Sequence, residues 1–252
     1  MNVGIKTNII TIHDELEKKY TVVREDTQFI HLFGPVNFPI NLNSKRYVFN
    51  WYVWKVKDYS MSFQELLKEL KNNGADQNYN SILTYGDFEN SHNALVRIHS
   101  CCLTGDVFGS TRCDCGPQLN HSLEHIVNST SGAIVYMDNH EGRGIGLYAK
   151  AIANTLQELG FDTYEANNIL DFEDDERTYD EAISIIKYFR AEKGITLLSN
   201  NPDKLRCFKK IGIIVNDVIP IHGFENEDNK RYLNSKLKRI ANHIDSDEEK
   251  LT

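Results

Sequence analysis

Apolar and polar positions alternate along the chain in two periods, and the changes between them mark out strands and helices in turn. Residues 46–56 (RYVFNWYVWKV) are dense in aromatic and β-branched side chains and predict a strand. Over 62–72, Phe63, Leu66, Leu67 and Leu70 fall at helical spacing, with Ser62 as a cap, Glu65 three residues on and Gly74 as a stop. Residues 74–80 read as a polar turn. Residues 81–88 and 93–98 read as two strands, joined around Glu89 to His92 by a connection of hairpin size. The apolar run 132–137 (GAIVYM) has the pattern of a buried strand; it leads into EGRGIG and a helical pattern over 147–159, which together make a βα unit. A helix over 179–189, a strand over 195–199, a short helix after Pro202, a strand over 211–219 and a helix over 228–244 complete the pattern. The fold class predicted is α/β, a mixed sheet with flanking helices.

Residues 1–45 have mixed polarity, short apolar patches at 29–33 and 36–40, and prolines at 35 and 39, which predicts an irregular or short-stranded lead-in. The division expected is therefore a lead-in over 1–45 with no assigned role, one compact domain over 46–244, and a charged tail (DSDEEKLT) over 245–252.

Composition narrows the setting. The chain has 252 residues, 40% of them apolar, and 28 Lys and Arg against 36 Asp and Glu, a net charge of -8. No stretch approaches the ~18 consecutive apolar residues of a spanning helix, and the first twenty residues lack the apolar centre of a signal peptide, so a cytoplasmic protein is expected. An acidic balance argues against general affinity for nucleic acid or anionic membrane, while leaving room for a basic pocket that takes one phosphorylated ligand. Five cysteines are present, and four of them (Cys101, Cys102, Cys113, Cys115) fall within fifteen residues. In a reducing compartment that clustering favours metal or redox chemistry over disulfides.

Cys102, Cys113 and Cys115 stand as C-x10-C-x-C, a spacing able to supply three corners of a tetrahedral zinc site with one position left for water. The alternative is three small buried side chains. Cys101 is poorly placed to be a fourth ligand, because adjacent residues of an extended segment point to opposite sides. Thr104, Gly105, Asp106 and Asp114 could build the hydrogen-bonded surroundings of the thiolates or simply form turns. The stretch Glu141-Gly142-Arg143-Gly144-Ile145-Gly146, between a strand and a helix, suits an anion or a plain tight turn; it is neither a Walker loop nor the dinucleotide fingerprint. Asp175 and Arg177 offer a carboxylate and a guanidinium two residues apart, for acid/base and phosphate work or as helix-start charges. Ser199-Asn200-Asn201-Pro202 ends a strand, with Lys204 just beyond, where α/β proteins often hold ligands.

Taken in order, RIHSCCLTGDVFGSTRCDCGPQL at 97–119, EGRGIGL at 141–147, TYEAN at 163–167, DDER at 174–177, SNNPDK at 199–204 and RYLNSK at 231–236 resemble the GTP cyclohydrolase II family, from about residue 81 to 236. The resemblance implies a homodimer, one zinc ion per chain on Cys102, Cys113 and Cys115, and magnesium accompanying the triphosphate. It implies hydrolysis of the guanine imidazole ring of GTP at C8, with release of formate and pyrophosphate, to give 2,5-diamino-6-(5-phosphoribosylamino)pyrimidin-4(3H)-one. Nucleotide-binding positions carry over to Arg97, Ile98, His99, Ser100, Cys101, Gln118, Glu141, Gly142, Arg143, Thr163, Ser199 and Lys204. Asp175 matches the proton acceptor, and Arg177 the residue assigned to attack the α-phosphate; a guanidinium is a poor nucleophile, and an electrostatic clamp is the better chemical role. Glu141 suits guanine, since a carboxylate accepts hydrogen bonds from N1–H and the 2-amino group.

The chain departs from the family pattern at several positions. Asn154 stands where a tyrosine is usual, and an amide cannot relay a proton as a phenol does; Tyr148 lies on another face of the helix. Asn139 and His140 replace Arg-Gln, and His140 is a candidate for proton transfer as a group titrating near neutrality. Cys101 stands where glutamate is common, and Ser199 where threonine is. These changes leave two alternatives open: a truncated reaction that keeps the formyl group, and a nucleotide-binding homologue without catalysis.

Overall fold

A computed structural model describes residues 12–73 and 79–237. Its centre is one sheet of eight strands in the order β1-β2-β3-β4-β6-β5-β7-β8. Strands β1 (Tyr20–Glu25), β2 (Gln28–Leu42), β3 (Lys45–Lys57) and β4 (Asn80–Gly86) form an antiparallel ribbon that meets β6 (Ser131–Met137). Beyond it β6, β5 (Asn93–Ser100), β7 (Gly194–Leu198) and β8 (Val215–Ile219) run parallel. Helices α1 (Phe63–Asn73), α2 (Leu103–Asp106), α3 (Cys115–Ser129), α4 (Gly146–Glu158), α5 (Thr163–Ile169), α6 (Asp180–Arg190) and α7 (Pro202–Ile211) flank it. The mixed α/β class predicted from the sequence is the class observed.

Several local expectations are corrected. The lead-in is not irregular: residues 20–42 make two strands of the same sheet, so the break placed at residue 46 falls inside a continuous hairpin. Leu42 pairs with Lys45 across Asn43-Ser44, both at positive φ (50° and 64°), the conformation of a two-residue hairpin turn. The prolines are accommodated at an irregularity between Phe33 and Val36 and on a ribbon with polar flanks. Strands β4 and β5 are not a hairpin, because β6 lies between them. Ala133, Ile134 and Val135 are fully buried, so this strand needs cover on both faces and a partner on both edges, which only the middle of the sheet provides. Strand β8 begins at Val215 rather than residue 211, because α7 runs on to Ile211 and Gly212 (φ 83°) caps it. Helices α3 and α5 were not expected. The C-terminal helix is described over 230–237 only; the rest of it, residues 74–78 and the tail 245–252 lie outside the described residues.

Period-two alternation divides the core. Ile82, Val96, Ile98 and Val135 face α6 through Ile183 and Ile186, whereas Ile134 and Leu198 face α3 through Leu123 and Ile126. Helix α1 carries its expected cap: Ser62 N and Oγ donate to Glu65 Oε2 at 2.8 Å each, and Glu65 N donates back to Ser62 Oγ at 3.3 Å. The parallel strands β5, β6 and β7 all end at one side of the sheet, and each is followed by a loop that carries site residues: 100–102, 138–144 and 199–204. No helix among the described residues is long and apolar enough to cross a membrane.

Arg190 closes α6 with no exposure at all. Its guanidinium donates to Phe88 O, to Ser91 Oγ (3.2 Å) and to Gly194 O (2.7 Å), tying three segments together. Arg190→Leu removes all three bonds from a buried position, and we expect it to lower unfolding free energy by about 3 kcal/mol, read from urea denaturation.

Candidate functional site

The loop after β5 is fixed before any ligand arrives. Asp106 Oδ2 accepts from Cys102 N (3.0 Å) and Tyr136 OH (2.9 Å), and it faces His99 Nε2 at 3.1 Å. This aims Cys102 at Cys113 and Cys115, which sit where the next loop turns into α3. The three sulfurs lie within 4.8 Å of one another, and those of Cys102 and Cys113 are 3.6 Å apart. Four ligands at ~2.3 Å around one ion place sulfurs ~3.8 Å apart, so the set suits a tetrahedral thiophilic cation such as zinc. Gly105 makes room for it: a Cβ there would meet Cys113 Sγ at 2.9 Å and Cys102 Sγ at 3.2 Å. Cys101 stays outside the cluster. Its thiol faces Glu141 Oε2 at 3.7 Å, and burial pushes its pKa up to about 12.

Hydrogen bonds from the other two thiols, with the Lys150 ammonium adding to them, favour the thiolate at Cys102; sharing its proton pushes Cys113 up to about 11. Lys150 is the residue that sequence reasoning missed. Its Nζ lies 3.2 Å from Cys102 Sγ, 3.1 Å from Thr104 Oγ1 and 2.5 Å from Glu141 Oε1. Asn154, one helical turn on, lines the same cavity of about 360 Å³ as Lys150 and Thr163. Lys150 could have been flagged as the polar residue sharing Asn154's face. Glu141 also accepts from Leu103 N (2.7 Å) and Gly142 N (3.1 Å), so its carboxylate is a junction for both loops.

A second cavity of about 400 Å³ gathers Arg97, Arg143, Arg177, Lys204 and Lys236. Arg97, nearly buried, donates to Leu198 O (3.0 Å) and Gln118 Oε1 (2.7 Å), and Gln118 in turn donates to Asp114. Its Nε is buried without a partner, and burial brings the guanidinium pKa down to about 10. Lys204 Nζ donates to Ile98 O at 2.8 Å; burial and the neighbouring Arg97 and Arg177 push its pKa well down. Ser199 Oγ accepts from Asn201 N at 3.0 Å, shaping the turn above Lys204. Arg177 holds Asp175 with two hydrogen bonds (2.7 and 2.5 Å) and donates to Ser100 Oγ at 3.1 Å. Burial works against the Asp175 carboxylate, but the bonds and charge of Arg177 outweigh it and keep it ionised. Gly142 and Arg143 both have positive φ, and Gly144 lies so close to Glu176 that a Cβ would stand 2.9 Å from that side chain.

One sequence assignment gains detail from the structure, and another needs correction. The Ile98 side chain is fully buried in the core, and what reaches the site is its carbonyl. His140 is not a group titrating near neutrality: burial, and then Arg177, bring its pKa down to about 3. Its Nε2 donates to Thr178 O at 2.8 Å, which leaves Nδ1 facing Ser100 Oγ at 3.2 Å. Similarly His99 is buried against Asp106, with a lowered pKa set first by burial. The remaining candidates, Ser100, Cys101, Gln118, Glu141, Gly142, Arg143, Thr163, Asp175, Arg177, Ser199 and Lys204, all border one cavity or the other.

Residues 69–220 match the model of the family described as GTP cyclohydrolase II. The chain is 47% identical over 156 residues to the GTP cyclohydrolase-2 of Psychromonas ingrahamii, covering 62% of this chain and 76% of that protein. It is 45% identical over 160 residues to that of Colwellia psychrerythraea, covering 64% and 78%. To the riboflavin biosynthesis protein RibBA of Bacillus cereus it is 43% identical over 169 residues, covering 67% of this chain and 42% of that one.

The Gly105 contact generates a test that needs no turnover. Gly105→Ala pushes on Cys113 Sγ and Cys102 Sγ, so we expect zinc affinity to fall by at least about tenfold in a chelator competition, with the circular dichroism of the fold retained.

Proposed function

The chain belongs to the GTP cyclohydrolase II family, a family of hydrolases, and on that footing we propose that it opens the imidazole ring of GTP at C8 and releases pyrophosphate and formate, for riboflavin biosynthesis. The observation that carries the reading is a shared wall. Ser100, Cys115, Arg143, Arg177 and Tyr232 border both cavities, so a ligand with a purine at one end and a polyanion at the other can span them. The product proposed is 2,5-diamino-6-(5-phosphoribosylamino)pyrimidin-4(3H)-one.

Zinc held by Cys102, Cys113 and Cys115 would supply a Lewis acid that makes water a competent nucleophile near neutral pH. The chain's own residues do the rest. Lys150 offsets thiolate charge at Cys102 and orients Glu141. Glu141 turns toward N1–H and the 2-amino group of guanine, and the Cys101 thiol, the weakest of its present donors, is the one displaced. Arg97, Lys204 and Arg143 bind phosphate oxygens. Arg177, oriented by Asp175 and Ser100, stabilises charge at the α-phosphate while a water adds to the α-phosphorus and pyrophosphate leaves, and Asp175 takes the proton of that water. His140, fixed between Thr178 and Ser100, positions that pair. Magnesium would accompany the triphosphate, and a homodimer is part of the same proposal.

A second reading has its own observation. Asn154 lines the cavity where a phenol would pass a proton, and an amide only hydrogen-bonds there. On that reading the reaction stops with the formyl group still attached.

The test is incubation of the zinc-loaded protein with GTP and magnesium, following formate, pyrophosphate and nucleotide mass. One formate per GTP supports the full reaction. Pyrophosphate with a formyl-bearing nucleotide supports the second reading, and Asn154→Tyr should then restore formate release. Cys113→Ser should lose zinc and turnover together, and Arg177→Ala should slow pyrophosphate release by about 100-fold or more. Normal turnover by zinc-free Cys113→Ser would sink the mechanism.

A further inference from the structure

RYLNSK at 231–236 has no role in the site as the family resemblance assigns it, yet the structure brings it there. The approach to the helix is tightly made. Asn226 Oδ1 accepts from Asp228 N (2.9 Å) and Asn229 N (3.0 Å), and the fully buried Asn229 donates from Nδ2 to Phe224 O at 2.7 Å. Two further bonds reach across the site. Thr111 Oγ1, in the loop between Cys102 and Cys113, donates to Asp228 Oδ2 at 2.7 Å, and Arg231 donates to Gly160 O beyond the end of α4. The segment is thus anchored on either side of the cysteine cavity. Tyr232 and Lys236, one turn apart on the same helix face, point inward. Tyr232 borders both cavities, and Lys236 borders the one that holds Arg97 and Lys204.

Five cations and five acids border that cavity, but Asp175 is taken by Arg177, and Asp203 pairs with Arg206, which does not border it. Arg97 and Lys204 bond to carbonyl and amide oxygens rather than to carboxylates. The acid near Lys236 is Asp114, whose Oδ1 lies 4.0 Å away while its Oδ2 accepts from Gln118. Arg143 has a buried Nη1 without a partner and holds a left-handed backbone, with its guanidinium 4.1 Å from the Tyr164 ring and 6.0 Å from that of Tyr232. Cations at such closeness repel unless a multiply charged anion joins them. Magnitude favours a ligand role over a surface one, because a charge-assisted bond to phosphate is worth more than an exposed pair.

We propose that Lys236 is a ligand of the substrate's triphosphate and that Tyr232 holds Arg143 in place for the same anion, so that the binding site extends onto the C-terminal helix. This rests on the GTP reading above and names a further part of that site.

The test uses the full zinc-loaded chain and calorimetric binding of three probes: α,β-methylene-GTP, inorganic tripolyphosphate and guanosine. Lys236→Gln should weaken the first two by about tenfold or more and leave guanosine unchanged, while Lys236→Arg should stay within about threefold of wild type. Tyr232→Leu should weaken tripolyphosphate, and Tyr232→Phe should not. Equal affinities for wild type and Lys236→Gln would overturn this inference alone. So would an equal loss for guanosine and tripolyphosphate, which marks a disturbed site rather than a lost phosphate contact. Wild-type protein that binds neither α,β-methylene-GTP nor tripolyphosphate would overturn the GTP reading with it.

Discussion

Three sulfurs within 4.8 Å of one another cannot all be ionised unless positive charge lies between or beside them, and the surroundings of Cys102, Cys113 and Cys115 are built on that constraint. Lys150 supplies one positive charge from outside the cluster and shares it with Glu141. Asp106 takes the Cys102 amide, so the loop is held even where the sulfurs are not. Gly105 is the space that lets the two cysteine loops close on each other. Because Lys150 touches both Cys102 Sγ and the Glu141 carboxylate, the cysteine cluster and the glycine loop are one electrostatic unit.

The sheet turns this local chemistry into a site of the right length. Its parallel half brings three strand ends together, and the loops that follow carry the cysteine, glycine-loop and Ser199 to Lys204 segments to one rim. Arg97 reaches that rim from within β5 and is tied to the next strand end through Leu198 O, while Lys204 is tied back to β5 through Ile98 O. The cavity that gathers the cations is therefore cross-linked to the core by two of them. The antiparallel half contributes no site residue. It buries Trp54 and Phe49 and extends the sheet, so its place in the molecule is structural.

Much of this was legible in the sequence where one local signal sufficed. The Ser62 and Glu65 cap, the buried run at 132–137, and the strand-loop-helix passage at 141–147 each carry their information within a few residues, and each appears in the fold. What was not legible depends on partners distant in the chain. Residues 81–88 and 93–98 look like a hairpin because nothing local shows that β6, some forty residues on, inserts between them. Helix α3 is written in the sequence, since Leu119, Leu123, Ile126 and Val127 fall at helical spacing and pack into one cluster. Helix α5 had a signal too, since Asp162 and Glu165 form a capping box. In the site, the cysteines were legible from spacing, whereas Lys150 and Lys236 look like ordinary solvated lysines until the fold places them. His140 shows the converse: its identity suggested titration near neutrality, and burial beside Arg177 removes it.

The same placement separates the chemical tasks. On the proposed reading, ring opening and phosphate release draw on the cysteine cluster, Glu141, Asp175, Arg177 and the cations around them. Removal of the formyl group asks for a proton carrier at the position of Asn154, and α4 offers no stand-in, because Tyr148 is 84% exposed and faces away. Tyr136 has given its hydroxyl to Asp106, and His140 is held neutral between Thr178 and Ser100. The phenol that does border the cysteine cavity is Tyr232, on the C-terminal helix. The helix proposed to reach the phosphates thus also carries an aromatic side chain along the cavity that Asn154 lines, which links the docking of that helix to both cavities.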